Sequence, residues 1–212
     1  MNNPLILLSP SKGMSRNGGV TSKVSGLCAF PEITARVVRS IQELKPEAAK
    51  KLFKVSDALW PEVAAMWSND SESYTNPEVG LRGLGAYTGE AFKFLNTAEL
   101  SPEGNSNAQQ SLYILSALYG VVSANMHIAP YRLEMQSQLE VDSHRNLYSL
   151  WRPILTQWMN TLHAPFIIDA CSGEYSKAID WKNVKRPYVQ VDFKQLKNHQ
   201  IKSVSAFSKQ AR

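Results

Sequence analysis

The sequence predicts one α/β domain with an irregular strand order, and three observations point there. Short apolar runs such as "PLILL" and "APFIIDAC" break into Ser, Pro or Gly, as strands feeding loops do. Segments with apolar residues at helical spacing lie between them. At 212 residues the chain fits one large domain or two small ones, and no internal repeat or low-complexity linker divides it. Residues 1–212 are therefore read as a single domain.

"NPLILLSPSKGM" starts as a strand and breaks at Ser9-Pro10; Ser11 to Ser25 then reads as a Gly/Ser/Asn-rich loop. "PEITARVVRSIQEL" opens with Pro and Glu, a favourable first turn, and its apolar spacing fits a helix. "KPEAAKKLFKVSDALW" repeats that start as a second helix, and "PEVAAMW" gives a short third. "NSNAQQSLYILSALYG" leads a helix or loop into a buried strand. In "SHRNLYSLWRPILTQWMNTL", Leu147, Leu150, Trp151, Ile154, Leu155 and Trp158 make one helical face, with a bend or restart expected at Pro153. "PFIIDACSGEYSKAI" reads as strand, turn and helix start. "RPYVQVDFK" and "IKSVSAFSK" alternate as strands do, and are expected to pair across "QLKNHQ".

Apolar content of 43% with 19% charged residues describes an ordinary globular chain. No run approaches the roughly 20 apolar residues of a membrane span, and no secretory signal opens the chain. Cys28 and Cys171 are the only cysteines and lie in no CxxC or Cys/His cluster, which suits the reducing cytoplasm. His127, His144, His163 and His199 show no metal-ligand spacing, so neither a metal nor a cofactor is proposed. The net charge of +5 is segregated: residues 1–60 carry +5, residues 61–180 carry −7 and residues 181–212 carry +7. Basic ends that fold together would present a face to phosphate-rich partners; the alternative is a solvated lysine-rich surface.

Four segments deliver polar groups from apolar sequence. "LLSPSK" puts Ser9 and Lys12 at a strand's C-terminal edge, where open α/β sheets bind ligands. Lys12 could hold a phosphate as a point charge, or be an exposed turn lysine. "GAYTGEAF" sets Tyr87 among small residues that would let a backbone approach a ligand and the ring stack on a base; the plainer role is core packing. If "APYRLEM" is extended, Arg132 and Glu134 share one face while Tyr131, Leu133 and Met135 share the other. A carboxylate beside a guanidinium could orient it for a phosphate, or the two could form a structural ion pair. In "IDACSGEYSKAI", Ser172 fits as the N-cap of a helix beginning near Glu174. Glu174 would then complement the helix dipole, and Cys171 is read as buried and inert.

Taken in order, "LILLSPSK", "AYTGEAF", "LYILSALYGV", "PYRLEM", "LYSLW", "ACSGEYSKAI" and "SVSAFSKQAR" resemble the YaaA family of peroxide-stress proteins across nearly the whole chain. The resemblance implies a cytoplasmic protein with a single mixed-sheet α/β domain, the cantaloupe fold. It also implies a role in protecting DNA during peroxide stress through lower free iron. DNA would be bound through a basic cleft and a helix-hairpin-helix element. On the resemblance, Lys12, Arg132, Glu134, Ser172, Glu174, Tyr175, Lys209 and Arg212 fall where the family keeps its polar cluster.

The chain departs from the family at several points. Gly85 stands near the family's acidic position, Ser123 to Met126 replace an Arg-Pro-Leu-Asp, and Ser176 replaces an aromatic. Trp60-Pro61 stands where a glycine turn would meet a phosphate, and the chain ends at Arg212, C-terminally short relative to the family.

The leading expectation is a DNA-binding protein of the peroxide stress response, holding phosphates with Ser9, Lys12, Arg132, Ser172, Lys209 and Arg212. Tyr87, Tyr119 and Tyr175 are the candidate stackers. The alternative is an enzyme acting on a nucleotide, nucleobase or similar small molecule. Glu134 or Glu174 would then be the general base, and Lys12 or Arg132 would stabilise developing charge. A third reading is a purely structural stress protein.

Overall fold

The computed structural model describes residues 3–15, 26–75, 80–197 and 200–202. Strand β1 (Leu5–Leu8) is followed by helices α1 (Pro31–Gln42), α2 (Pro46–Phe53), α3 (Trp60–Ala65) and α4 (Ser71–Thr75). Next come β2 (Leu81–Arg82), α5 (Gly83–Ala86), α6 (Glu90–Leu95) and α7 (Pro102–Ser111). Strands β3 (Leu112–Ser116), β4 (Gly120–Ser123) and β5 (His127–Ile128) precede the long helix α8 (Leu147–Thr161). The chain then forms β6 (Ile167–Asp169), α9 (Gly173–Ser176), β7 (Tyr188–Gln190), β8 (Gln195–Lys197) and β9 (Gln200–Lys202).

Five strands join in the order β4-β3-β1-β6-β7, all parallel except β4, which runs back along β3. Because β1 is central, the chain leaves it for β3 on one side and later returns to β6 on the other. Beyond the C-terminal strand ends at such a reversal is the usual ligand position in open sheets. One hydrophobic cluster links the sheet to the helices around it, including Leu7, Val37, Phe53, Ile114, Trp151 and Ile167.

Local chemistry explains the elements. Pro31 at the first turn, Glu32 beside it and Arg39 in the last turn suit α1, whose buried Thr34, Val37, Val38 and Ile41 repeat at helical spacing. Asn146 caps α8 by accepting from the Ser149 amide at 2.9 Å, and Ser149 closes a reciprocal capping box. Leu147, Leu150, Trp151, Leu155 and Met159 are buried along that helix, which runs without interruption through Pro153.

An expected helix boundary is corrected. The second predicted helix stops at Phe53, because Lys54 takes a left-handed conformation (φ 51°) and its amide closes onto the Lys50 carbonyl. The chain then turns before α3. Of the predicted pairing across "QLKNHQ", residues 203–209 lie outside the described residues; within them, β7 pairs in parallel with β6, and "QLK" and "QIK" themselves form the antiparallel pair β8–β9. Among the described residues, no helix is long and apolar enough to cross a membrane.

Candidate functional site at the strand ends

Segments leaving the C-terminal ends of β1, β3 and β6 meet at that edge. Ser9 leaves β1 and Ser172 lies just beyond β6; the Ser9 hydroxyl accepts from the Ser172 amide at 2.7 Å and donates to the Ser172 hydroxyl at 3.1 Å. Ser172 does occupy the N-cap of α9, but its side chain turns to Ser9 and makes no cap bond. Beyond Ser9, the Ser11 hydroxyl accepts from the Gly89 amide at 3.0 Å and donates to the Gly13 carbonyl at 2.6 Å. A Cβ on Gly89 would stand 2.4 Å from the Ser11 Cβ. The glycine just past Tyr87 therefore admits a neighbouring loop, and that contact fixes the path of the segment carrying Lys12.

Arg132 and Glu134 lie on one side of an extended segment, half-exposed, while Tyr131, Leu133 and Met135 are buried on the other. The expected Arg132–Glu134 pair is not what forms. Glu134 pairs with Lys12, whose side chain remains 64% exposed while that of Glu134 is 15% exposed. Among the described residues, no hydrogen bond or ion pair engages the Arg132 guanidinium. The reason is geometric: neighbours on one face of an extended chain splay side by side, whereas Lys12 reaches Glu134 from the segment that follows β1.

Gln136 continues the same face and joins two carboxylates. Its side-chain amide donates to Glu134 Oε2 at 3.0 Å, and its backbone amide donates to Glu174 Oε1 at 3.2 Å. Their acidities are pushed apart. Burial raises the Glu134 carboxyl, but hydrogen bonds from Lys12 and Gln136 and the charges of Lys12 and Lys54 outweigh it and bring it below the usual range. Burial also raises Glu174, reinforced by the nearby Glu134 charge; backbone amides and Lys12 only partly oppose it, and the carboxyl stays above the usual range. The α2 C-cap Lys54 thus belongs to this neighbourhood.

The tyrosines behave differently from the expectation. Tyr87, Tyr119 and Tyr175 are buried, so no base can lie on them without opening the core. Tyr87 and Tyr131 share a hydroxyl contact of 3.0 Å, and Tyr131 reaches Ser116 at 2.8 Å. Burial holds the Tyr87, Tyr131 and Tyr175 hydroxyls protonated. Ser176 donates to the buried Asp169 carboxylate at 2.6 Å. Cys171 is buried beside it. Lys209 and Arg212 lie outside the described residues. Sequence reasoning missed Gln136, Ser116 and Lys54; the alternation of Arg132 and Glu134 carried one residue pair further points to Gln136.

The family model described as "Peroxide stress protein YaaA" matches residues 5–212. The chain belongs to that family. It is 32% identical to a UPF0246 protein of Shewanella pealeana over 212 residues, covering 98% of this chain and 82% of that protein. A UPF0246 protein of Delftia acidovorans is 31% identical over 215 residues, and one of Flavobacterium psychrophilum 27% over 212, each with the same 98% and 82% coverage. Within the matched residues, "LYILSALYGV" forms β3, its turn and the start of β4, and "PYRLEM" is the segment bearing Arg132 and Glu134.

Proposed function

We propose that this YaaA-family chain acts in the peroxide stress response by binding phosphate-bearing ligands, DNA foremost, at the C-terminal edge of its central sheet. The observation that carries this reading is the Arg132 guanidinium, unpaired among the described residues. It lies two residues from Glu134, on which Lys12 and Lys54 act, and the Ser9 and Ser172 hydroxyls meet at the C-terminal ends of β1 and β6. A guanidinium with no carboxylate to satisfy it is suited to grip a phosphate in a fork. With the tyrosines buried, contact is to the backbone and not to bases, so sequence preference is expected to be weak.

A second reading rests on the carboxylates. A neighbouring pair with opposed acidity, linked through one residue, is the arrangement that separates acid from base in enzymes. Here Glu174 would hold a proton and Glu134 would stay ionised in a reaction on a nucleotide or nucleobase-like molecule.

Labelled single- and double-stranded DNA, titrated with wild type and with Lys12→Ala/Arg132→Ala at low and moderate salt, tests the first reading. Salt-sensitive binding that drops about tenfold or more in the double variant is expected. Binding unaffected by the substitutions would remove this edge from DNA recognition and leave the small-molecule reading.

A further inference from the structure

Helix α7 reads "PEGNSNAQQS", and apart from Pro102 and Ala108 it carries no apolar side chain. A helix laid on a sheet ordinarily buries a stripe of large apolar residues. The face that α7 turns toward β1 and β3 is instead Gly104, Asn107, Ala108 and Ser111, at helical spacing. The space that leucines would fill over Ile6, Leu8 and Leu112 is left as a cavity of about 510 Å³. Leu95 and Leu100, ahead of α7, line its other side. Among the described residues, no charged and no aromatic side chain lines it. Ser111 is only 6% exposed, yet its hydroxyl has no hydrogen-bond partner among the described residues. That hydroxyl is not sealed into the core, and the surface left to Ser111 opens on the cavity. Buried hydroxyls ordinarily find a partner.

Aliphatic walls without charge and one unmet hydroxyl at the end of α7 describe a single ligand chemistry. We propose that this cavity binds a neutral aliphatic molecule with one hydroxyl or carbonyl head. The chain lies over Ile6, Leu8 and Leu112, and the head hydrogen-bonds to Ser111. Among the lining residues a carboxylate or phosphate finds no cation, an amine finds no anion, and a planar ring finds no aromatic face. The cavity volume falls in the range of small-ligand sites, about 300–1,000 Å³. Neither Lys12 nor Arg132 lines it, and the proposal does not rest on the reading given for the strand ends.

Calorimetric titration of the whole chain with 1-octanol, 1-hexanol and octanoate at neutral pH tests the proposal. 1-Octanol should saturate by about 1 mM, with the negative heat-capacity change of apolar burial. 1-Hexanol, two methylenes shorter, should bind about tenfold more weakly. Octanoate, whose charge has no partner in the cavity, should also bind about tenfold more weakly or worse. Ser111→Ala removes one oxygen and should weaken both alcohols about threefold or more, keeping the ratio between them. Ala108→Leu, on the same helical face, puts a side chain where the ligand chain lies and should abolish binding. Lys12→Ala/Arg132→Ala should leave 1-octanol binding intact; loss there would place the ligand at the strand ends and overturn this site. Absence of saturation, equal affinity for octanoate or 1-hexanol, or affinity unchanged in Ser111→Ala or Ala108→Leu would equally overturn it.

Discussion

Gln136 is the residue through which Glu134 and Glu174 sense each other. It spends a side-chain donor on one and a backbone donor on the other. The two carboxylates therefore report on pH with opposite signs. Glu134, more acidic than usual, contributes stability above the ordinary glutamate range and loses it as pH falls through its own lowered value. Glu174, less acidic than usual, contributes fully below the ordinary range and loses that contribution as pH rises through its raised value. In Glu174→Gln the acceptor for the Gln136 amide remains but no charge can form. Urea unfolding across the acidic and neutral range should give matching stabilities for the variant and wild type at low pH. The variant should then gain as pH rises, by less than about 1 kcal/mol because the group is only half-buried. A difference that stays flat with pH would contradict this assignment of Glu174.

At the scale of elements, the turn between β3 and β4 requires the glycine of "LYGV". Gly120 has φ +70°, and a Cβ there would stand 2.5 Å from the Trp151 ring of α8. Trp151 cannot yield easily, since it is fully buried and its indole N–H donates to the Ala117 carbonyl at 2.9 Å. Gly120→Ala should therefore cost about 2–4 kcal/mol, read as a shift in urea midpoint with unchanged slope. A cost below about 0.5 kcal/mol would mean that the turn relaxes freely.

The same elements mark where sequence reading reached and where it stopped. The helical stripe of α8 and the strand–turn–helix around Ser172 were legible because burial follows their periodicity. The early end of α2 was not, since Lys54 is an ordinary helix former and nothing in its residue type marks the left-handed cap that it forms. The alternation placing Arg132 and Glu134 together was also legible. Their partners were not, because Lys12 lies far away in the chain and reaches Glu134 only once β1 is central in the sheet. The tyrosines were misjudged as stackers because an aromatic beside glycine looks alike whether it faces core or solvent.

For the whole molecule, strand order converts a dispersed sequence pattern into one place. β1 sits between β3 and β6, so Ser9, Lys12, Ser116 and Ser172 gather at one edge, and the extended segment after β5 lays Arg132 across it. The charge excess of the first 60 residues contributes Lys12 and Lys54 to that edge, while the acidic middle contributes Glu134 to restrain Lys12. On the proposed function, this edge neutralises phosphates. The most direct measurement is duplex DNA affinity over a range of salt, compared between wild type and Arg132→Ala. Phosphate binding at this edge predicts a linear fall of log K with log salt, and a slope shallower by about 0.9 in the variant for the lost phosphate contact. Identical slopes and affinities in the two proteins would contradict it.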